Sequence, residues 1–166
     1  MRLFGILLLS VVPIIFSIRA GEEVRKTEKK KEAMTNLLCT LHFQIENFLK
    51  DQREIFANYE DPILKNTSFY KELEQRLKEN PCGAFQYAWK LHGKEFAFDA
   101  QTDELLSEIA NHFGFLEKKA QLEQLAHGIA QLEKTEPTRK AECENKIKIL
   151  RMSGITAGLG LFILLI

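Results

Sequence analysis

Two stretches free of ionisable side chains, residues 3–18 and 152–166, bracket this chain and limit what it can fold into. Apolar runs of this kind are stable only when buried in protein or placed in lipid. Just inside the first stand Arg19, Arg25, Lys26, Lys29, Lys30 and Lys31. Just inside the second stand Arg139, Lys140, Lys146, Lys148 and Arg151. Basic side chains beside a membrane segment favour the cytosolic side. Flanks of one sign at both entrances therefore predict a chain tethered twice to a membrane with its middle in the cytosol. Arg19, Arg25, Lys26, Lys146, Lys148 and Arg151 are the residues expected to set that topology.

As helices the two runs measure about 24 Å and about 22 Å, short of a hydrocarbon core of about 30 Å. Arg2, Arg19 and Arg151 can snorkel and the bilayer can thin, so both remain candidate spans. Pro13 in the first is tolerated in a membrane helix. The second carries a GxxxG step, Gly154 and Gly158, with Ser153 and Ala157 at the same spacing. Small residues let helix backbones approach closely in lipid, where no hydrophobic push exists between helices. The expected partner is the first apolar helix or a copy of the second in another subunit. An alternative reads the first run as a signal peptide cleaved after Ala20, giving an exported helical binding module with a C-terminal membrane anchor. Ile18 fits such a cleavage site poorly, and a secreted soluble domain has no use for the second run.

Between the ends the apolar residues recur at helical spacing, and no stretch alternates long enough for a strand. Residues 22–32 are too charged to pack and read as a solvated neck. Met34, Leu38, Leu41, Ile45 and Phe48 form one stripe, and Asp61-Pro62 is expected to close that first long helix. Ser68 is expected to cap a helix carrying Phe69, Tyr70, Leu73 and Leu77. Asn80-Pro81-Cys82-Gly83 breaks the chain, and a short helix follows, ending near Gly93. There Phe85, Tyr87 and Trp89 suit either a core face or an exposed partner patch. Thr102 opens a helix with Leu105, Leu106, Ile109, Ala110 and Phe113 inward, and Gly114 interrupts it. Leu122, Leu125, Ala126, Ile129 and Leu132 form the next stripe, and Thr135-Glu136-Pro137 is expected to turn into a last helix entering the membrane. The expected fold is all-α: a compact bundle of about six helices with an apolar membrane helix at each terminus. Its divisions are an N-terminal membrane segment (1–20), a charged helical neck (21–33), a cytosolic bundle (34–151) and a C-terminal membrane segment (152–166).

The search for chemistry finds little. There is no GxxxxGK[ST] loop, since Gly93-Lys94 runs into Glu95, and no HExxH. His42, His92, His112 and His127 are scattered, without carboxylates at ligand spacing. Serine stands in no nucleophile-elbow context. Cys39, Cys82 and Cys143 form no CxxC pair and read as reduced thiols. With a formal net charge of zero, nucleic-acid binding is not expected. The chain reads as a non-enzyme without a cofactor or metal.

Three segments carry a family resemblance. Met34-Thr-Asn-Leu-Leu-Cys-Thr-Leu-His-Phe-Gln-Ile45 resembles the first leucine-spaced helix of the stage III sporulation protein AB family of endospore-forming bacteria. Leu105-Leu-Ser-Glu-Ile-Ala-Asn-His-Phe-Gly114 is similar to that family's helix ending in Phe-Gly. Residues 141–166 are similar to its Lys-rich helix passing into a Gly- and Leu-rich end. Gln44 departs from the family's acidic residue, and Phe115-Leu116-Glu117-Lys118 replaces the usual Leu-Gly. The resemblance implies a helical domain similar to the cytoplasmic domain of the type II secretion platform protein. It further implies a place in the mother-cell membrane complex facing the forespore, among other membrane components. The implied partner is a companion cytoplasmic secretion-type ATPase, stage III sporulation protein AA.

Overall fold

The computed structural model describes residues 2–48 and 52–165; the side chains of 2–8 and 52 lie outside the described set, and with them part of the expected 1–20 membrane segment. The elements are α1 (Arg2–Phe48), α2 (Gln52–Ala57), α3 (Pro62–Lys65), α4 (Ser68–Glu79), α5 (Ala84–His92), a 3₁₀ turn (Gly93–Phe96), α6 (Ala100–His112) and α7 (Lys118–Leu165). The fold is all-α, with no strand among the described residues.

The expectation of about six helices is corrected at the last long element. The helix before Asp61-Pro62, α2, ends at Ala57, and Asp61-Pro62, expected to close the first long helix, opens α3. The Asp61 carboxylate accepts from the N–H groups of Ile63 and Leu64, both at 2.8 Å, and Pro62 occupies the first turn, where its missing N–H is no loss. Residues 49–51, between α1 and α2, lie outside the described set. At the other end, Thr135-Glu136-Pro137 makes no turn, because Pro137 lies inside α7. A proline there removes one ladder hydrogen bond and crowds the carbonyl four residues back. Pro137 is exposed, so that carbonyl has a route to solvent. Two expected helices are consequently one.

The chain divides into two compact units, one of residues 1–28 with 137–166 and one of residues 29–136. The expected divisions after 20, 33 and 151 all fall within α1 or α7.

In the unit 29–136 the core is built on α1 by Met34, Leu37, Leu38 and Leu41, all fully buried. Phe69 of α4 is an aromatic hub. Its ring lies edge-on to Phe85 (5.3 Å between centroids), Trp89 (5.9 Å) and Phe96 (5.6 Å), arrangements that suit the ring quadrupoles. Trp89 is buried and its indole N–H donates to Ser107 Oγ at 3.0 Å, so Phe85 and Trp89 belong to the core. Tyr87 alone of that trio faces out, beneath the Arg76 guanidinium at 3.9 Å.

The helix starts differ by small steps from the expected ones. Thr67, not Ser68, caps α4, its hydroxyl accepting from the Tyr70 N–H at 3.1 Å. A distant residue completes the cap: the Glu95 carboxylate accepts from the N–H groups of Ser68 (3.2 Å) and Phe69 (2.8 Å). An acid at a helix N-terminus also meets the positive end of the dipole. Asp99, rather than Thr102, caps α6 by accepting from the Thr102 N–H at 3.0 Å. Gly114 turns the chain at φ 85°, a left-handed conformation that glycine adopts without strain. Phe48 and Ala126, expected inward, are exposed, whereas Gln121 and Gly128 are buried on α7. A Cβ at Gly128 would meet the end of the Ile109 side chain, which packs into the space that the glycine leaves.

Candidate functional site

The unit of residues 1–28 and 137–166 holds the residues singled out by the sequence. Its geometry is an antiparallel pairing of the N-terminal part of α1 with the C-terminal part of α7. Arg139 Nε donates to Glu28 Oε1 at 3.3 Å, a largely buried ion pair. Further along, Cys143 Sγ faces the Val24 carbonyl at 4.0 Å, and Gly21 lies under Ile147. Gly154 then meets Ser17 and the Pro13 carbonyl, and Gly158 meets the Ser10 carbonyl and Ile14. Contacts on α1 thus recur at steps of three and four residues, the spacing of a supercoiled seam.

The small residues decide how near the backbones come. A Cβ on Gly158 would stand 2.6 Å from the Ser10 carbonyl oxygen, and one on Gly154 would overlap the Ser17 side chain. Ser10 and Ser17 are buried, and Ser17 Oγ donates to the Ile14 carbonyl at 2.8 Å. That bond satisfies the hydroxyl within its own helix, so it can sit in a dry seam. Close approach of this kind gains dispersion energy along the contact.

Of the residues expected to pack, Gly154 and Gly158 are in the seam, while Ser153 and Ala157 face outward. Ser153 Oγ donates to the Leu150 carbonyl at 2.8 Å. Ser10, Ser17 and Gly21 were not foreseen, although Ser10 and Ser17 lie seven residues apart, one heptad, in the first apolar run. The seam's outer faces are bulky and apolar: Phe16 is 75% exposed and Leu164 is 85% exposed, with Val12, Leu159 and Ile163 also outward. Among the described residues one helix, α7, is long and apolar enough to cross a membrane.

The basic flanks lie on the surface of this unit. Arg19, Arg25, Lys146, Lys148 and Arg151 are exposed. Lys26 forms an ion pair with Glu23 at 2.7 Å, whose hydrogen bond and charge hold its ammonium above the usual lysine range.

The unit 29–136 carries an apolar cleft of about 330 Å³ between α2 and α4, lined by Phe56, Ala57, Tyr70, Leu73 and Leu77, with Arg53, Glu74 and Lys78 around them. The Tyr70 hydroxyl donates to the Phe56 carbonyl at 2.7 Å, and burial, aided by Glu74, pushes its pKa up to about 12. A second depression between α6 and α7 gathers Asp99, Glu104, Glu108 and His127. Among the described residues no group of three or more His, Cys, Asp or Glu side chains is arranged to hold a metal ion.

The family model described as stage III sporulation protein AB matches residues 2–166. No curated protein and no solved structure gives a significant match.

Proposed function

The chain belongs to the stage III sporulation protein AB family, and from that premise we propose that it is a non-enzymatic, membrane-anchored part of a secretion-like sporulation complex. In this reading residues 1–28 and 137–166 hold the protein in the mother-cell membrane facing the forespore. Residues 29–136 lie in the cytosol and dock a cytoplasmic secretion-type ATPase. The mechanism is positional: two anchors joined by a tight seam resist rotation, so an energised partner can push against a fixed mount.

The observation that carries the proposal is that the family match takes in both apolar ends as well as the helical middle. Support comes from the exposed apolar flanks of the helix pair, which water solvates poorly and lipid solvates well. The basic side chains at the inner ends of both runs favour the cytosolic orientation.

Co-purification tests it. The full chain, extracted in detergent from sporulating cells, should bring the ATPase with it, and a chain with substitutions in the cleft between α2 and α4 should recover less. Failure to recover any ATPase under conditions that retain other membrane partners would sink the docking role. Digestion of residues 29–136 by protease added outside intact cells would sink the cytosolic placement.

A further inference from the structure

Two shallow grooves on the helix pair of residues 1–28 and 137–166 adjoin one another. The first, about 300 Å³, is lined by Ile14, Ser17, Ile18, Arg151 and Ile155. The second, about 320 Å³, gathers Arg25, Lys148 and Arg151 around Ile147 and Met152, with Glu144 the single acid among its lining residues. Arg151 and Ile155 line both, so the two adjoin along α7 and make a two-part trough.

The trough has two chemically distinct ends. Toward Ile14, Ile18 and Ile155 it is apolar. Toward Arg25, Lys148 and Arg151 it presents three cations against Glu144. Among the described residues none of those three cations forms an ion pair, whereas neighbouring Lys26 and Arg139 are held by Glu23 and Glu28. The rise of a helix places Lys148 about 10 Å along α7 from Ile155. That is the separation between a headgroup phosphate and the upper part of an acyl chain on the scale of a bilayer leaflet.

We propose that this trough binds one anionic phospholipid, its phosphate among Arg25, Lys148 and Arg151 and one acyl chain along Ile14, Ile18 and Ile155. The arginine forks suit two phosphate oxygens at once, and the lysine supplies a compact charge beside them. A free phosphate would use only the cationic end, leaving the isoleucines uncovered, so the membrane lipid is the occupant. A lipid of net negative charge offsets the excess of three cations over one acid better than a zwitterionic one. The proposal rests on the membrane-anchored reading above and deepens it, from general attraction by basic flanks to a defined site.

The test uses the full chain, delipidated in a mild non-ionic detergent and titrated with phosphatidylglycerol or phosphatidylcholine, with bound lipid counted by native mass spectrometry. One phosphatidylglycerol should be retained per chain in preference to phosphatidylcholine, and excess inorganic phosphate should not displace it. The triple variant Arg25→Gln, Lys148→Gln, Arg151→Gln should weaken retention by about tenfold or more, given the usual contribution of basic side chains near anionic lipid. A control with Arg19→Gln, Lys26→Gln and Lys146→Gln removes as many cations outside the trough and should retain the lipid. Ile155→Trp, which fills the apolar end without changing charge, should also lose it. Equal losses in the two triple variants, or displacement by phosphate, would overturn the site. Carbonate extraction separates the two levels: a chain that stays in the membrane but holds no lipid overturns the site alone. A chain that is released and holds none overturns the membrane reading as well.

Discussion

Replacing Gly158 or Gly160 by alanine should move stability in opposite directions, although both are glycines in the same helix two residues apart. A Cβ at Gly160 meets nothing within 4 Å, so that substitution only exchanges a poor helix former for a good one, gaining up to about 1 kcal/mol. A Cβ at Gly158 would stand 2.6 Å from the Ser10 carbonyl oxygen and 3.2 Å from Ile14. A normal contact is about 3.5 Å, so the backbones must part by roughly 1 Å, enough to forfeit about a quarter to a half of the dispersion energy of the contacts nearby. Overpacking of this kind costs about 1–3 kcal/mol. After the same helix-propensity gain, Gly158→Ala should be destabilised by about 1 kcal/mol and should lie about 2 kcal/mol below Gly160→Ala. Gly21→Ala, whose Cβ would rest at an ordinary 3.5 Å from Ile147, should behave like Gly160→Ala. The assay is energy transfer between labels at the exposed positions Arg19 and Met152 while SDS is titrated into detergent-solubilised protein. Finding Gly158→Ala as stable as Gly160→Ala would refute a seam held by backbone approach.

Three further outcomes are expected. Asp99→Ala should cost about 1 kcal/mol through the lost α6 cap, read from Trp89 fluorescence during chemical unfolding. The Thr102 N–H holds the Asp99 carboxyl below the usual carboxylate range, so its contribution is present above about pH 4 and is lost as pH falls through the folded value; the Ala variant should lack that part of the acid limb. Tyr70→Phe should cost about 1–3 kcal/mol by leaving the Phe56 carbonyl without its hydroxyl donor. Because the Tyr70 pKa is raised to about 12, its contribution is complete below about pH 10 and declines as pH climbs toward the folded value, a slope that the Phe variant should reduce in a pH-dependent melt. In purified protein a maleimide should modify exposed Cys82 about tenfold faster or more than Cys39, whose thiol is pushed up by burial and by Glu133; equal rates would contradict the packing of α1.

The helical class and the inner stripe of α1 were legible because Met34, Leu38, Leu41 and Ile45 keep a clean period. Local signals failed where tertiary partners decide. Nothing near Ser68 announces that Glu95 will complete its cap, since the two are brought together only by the fold. Pro137 was read as a helix start because proline favours that place, yet an exposed flank lets α7 continue through it. On α7 the buried face includes Gln121 and Gly128, which an apolar count passes over, while Ala126 counts as apolar and faces out. In the seam the GxxxG step drew attention to Gly154 and Gly158. Its other half is written in Ser10 and Ser17, small residues that a hydropathy reading treats as blemishes in an apolar run.

Because Ser10 and Ser17 already occupy the Gly154–Gly158 groove of α7, that step is filled within the chain and is closed to a second copy. A neighbour that approaches the pair from the side of Val12, Phe16, Ile163 and Leu164 meets a knobbly exterior instead. Large side chains hold helix axes about 8–10 Å apart and repack readily, so assembly there favours exchangeable, loosely registered contacts over a locked dimer.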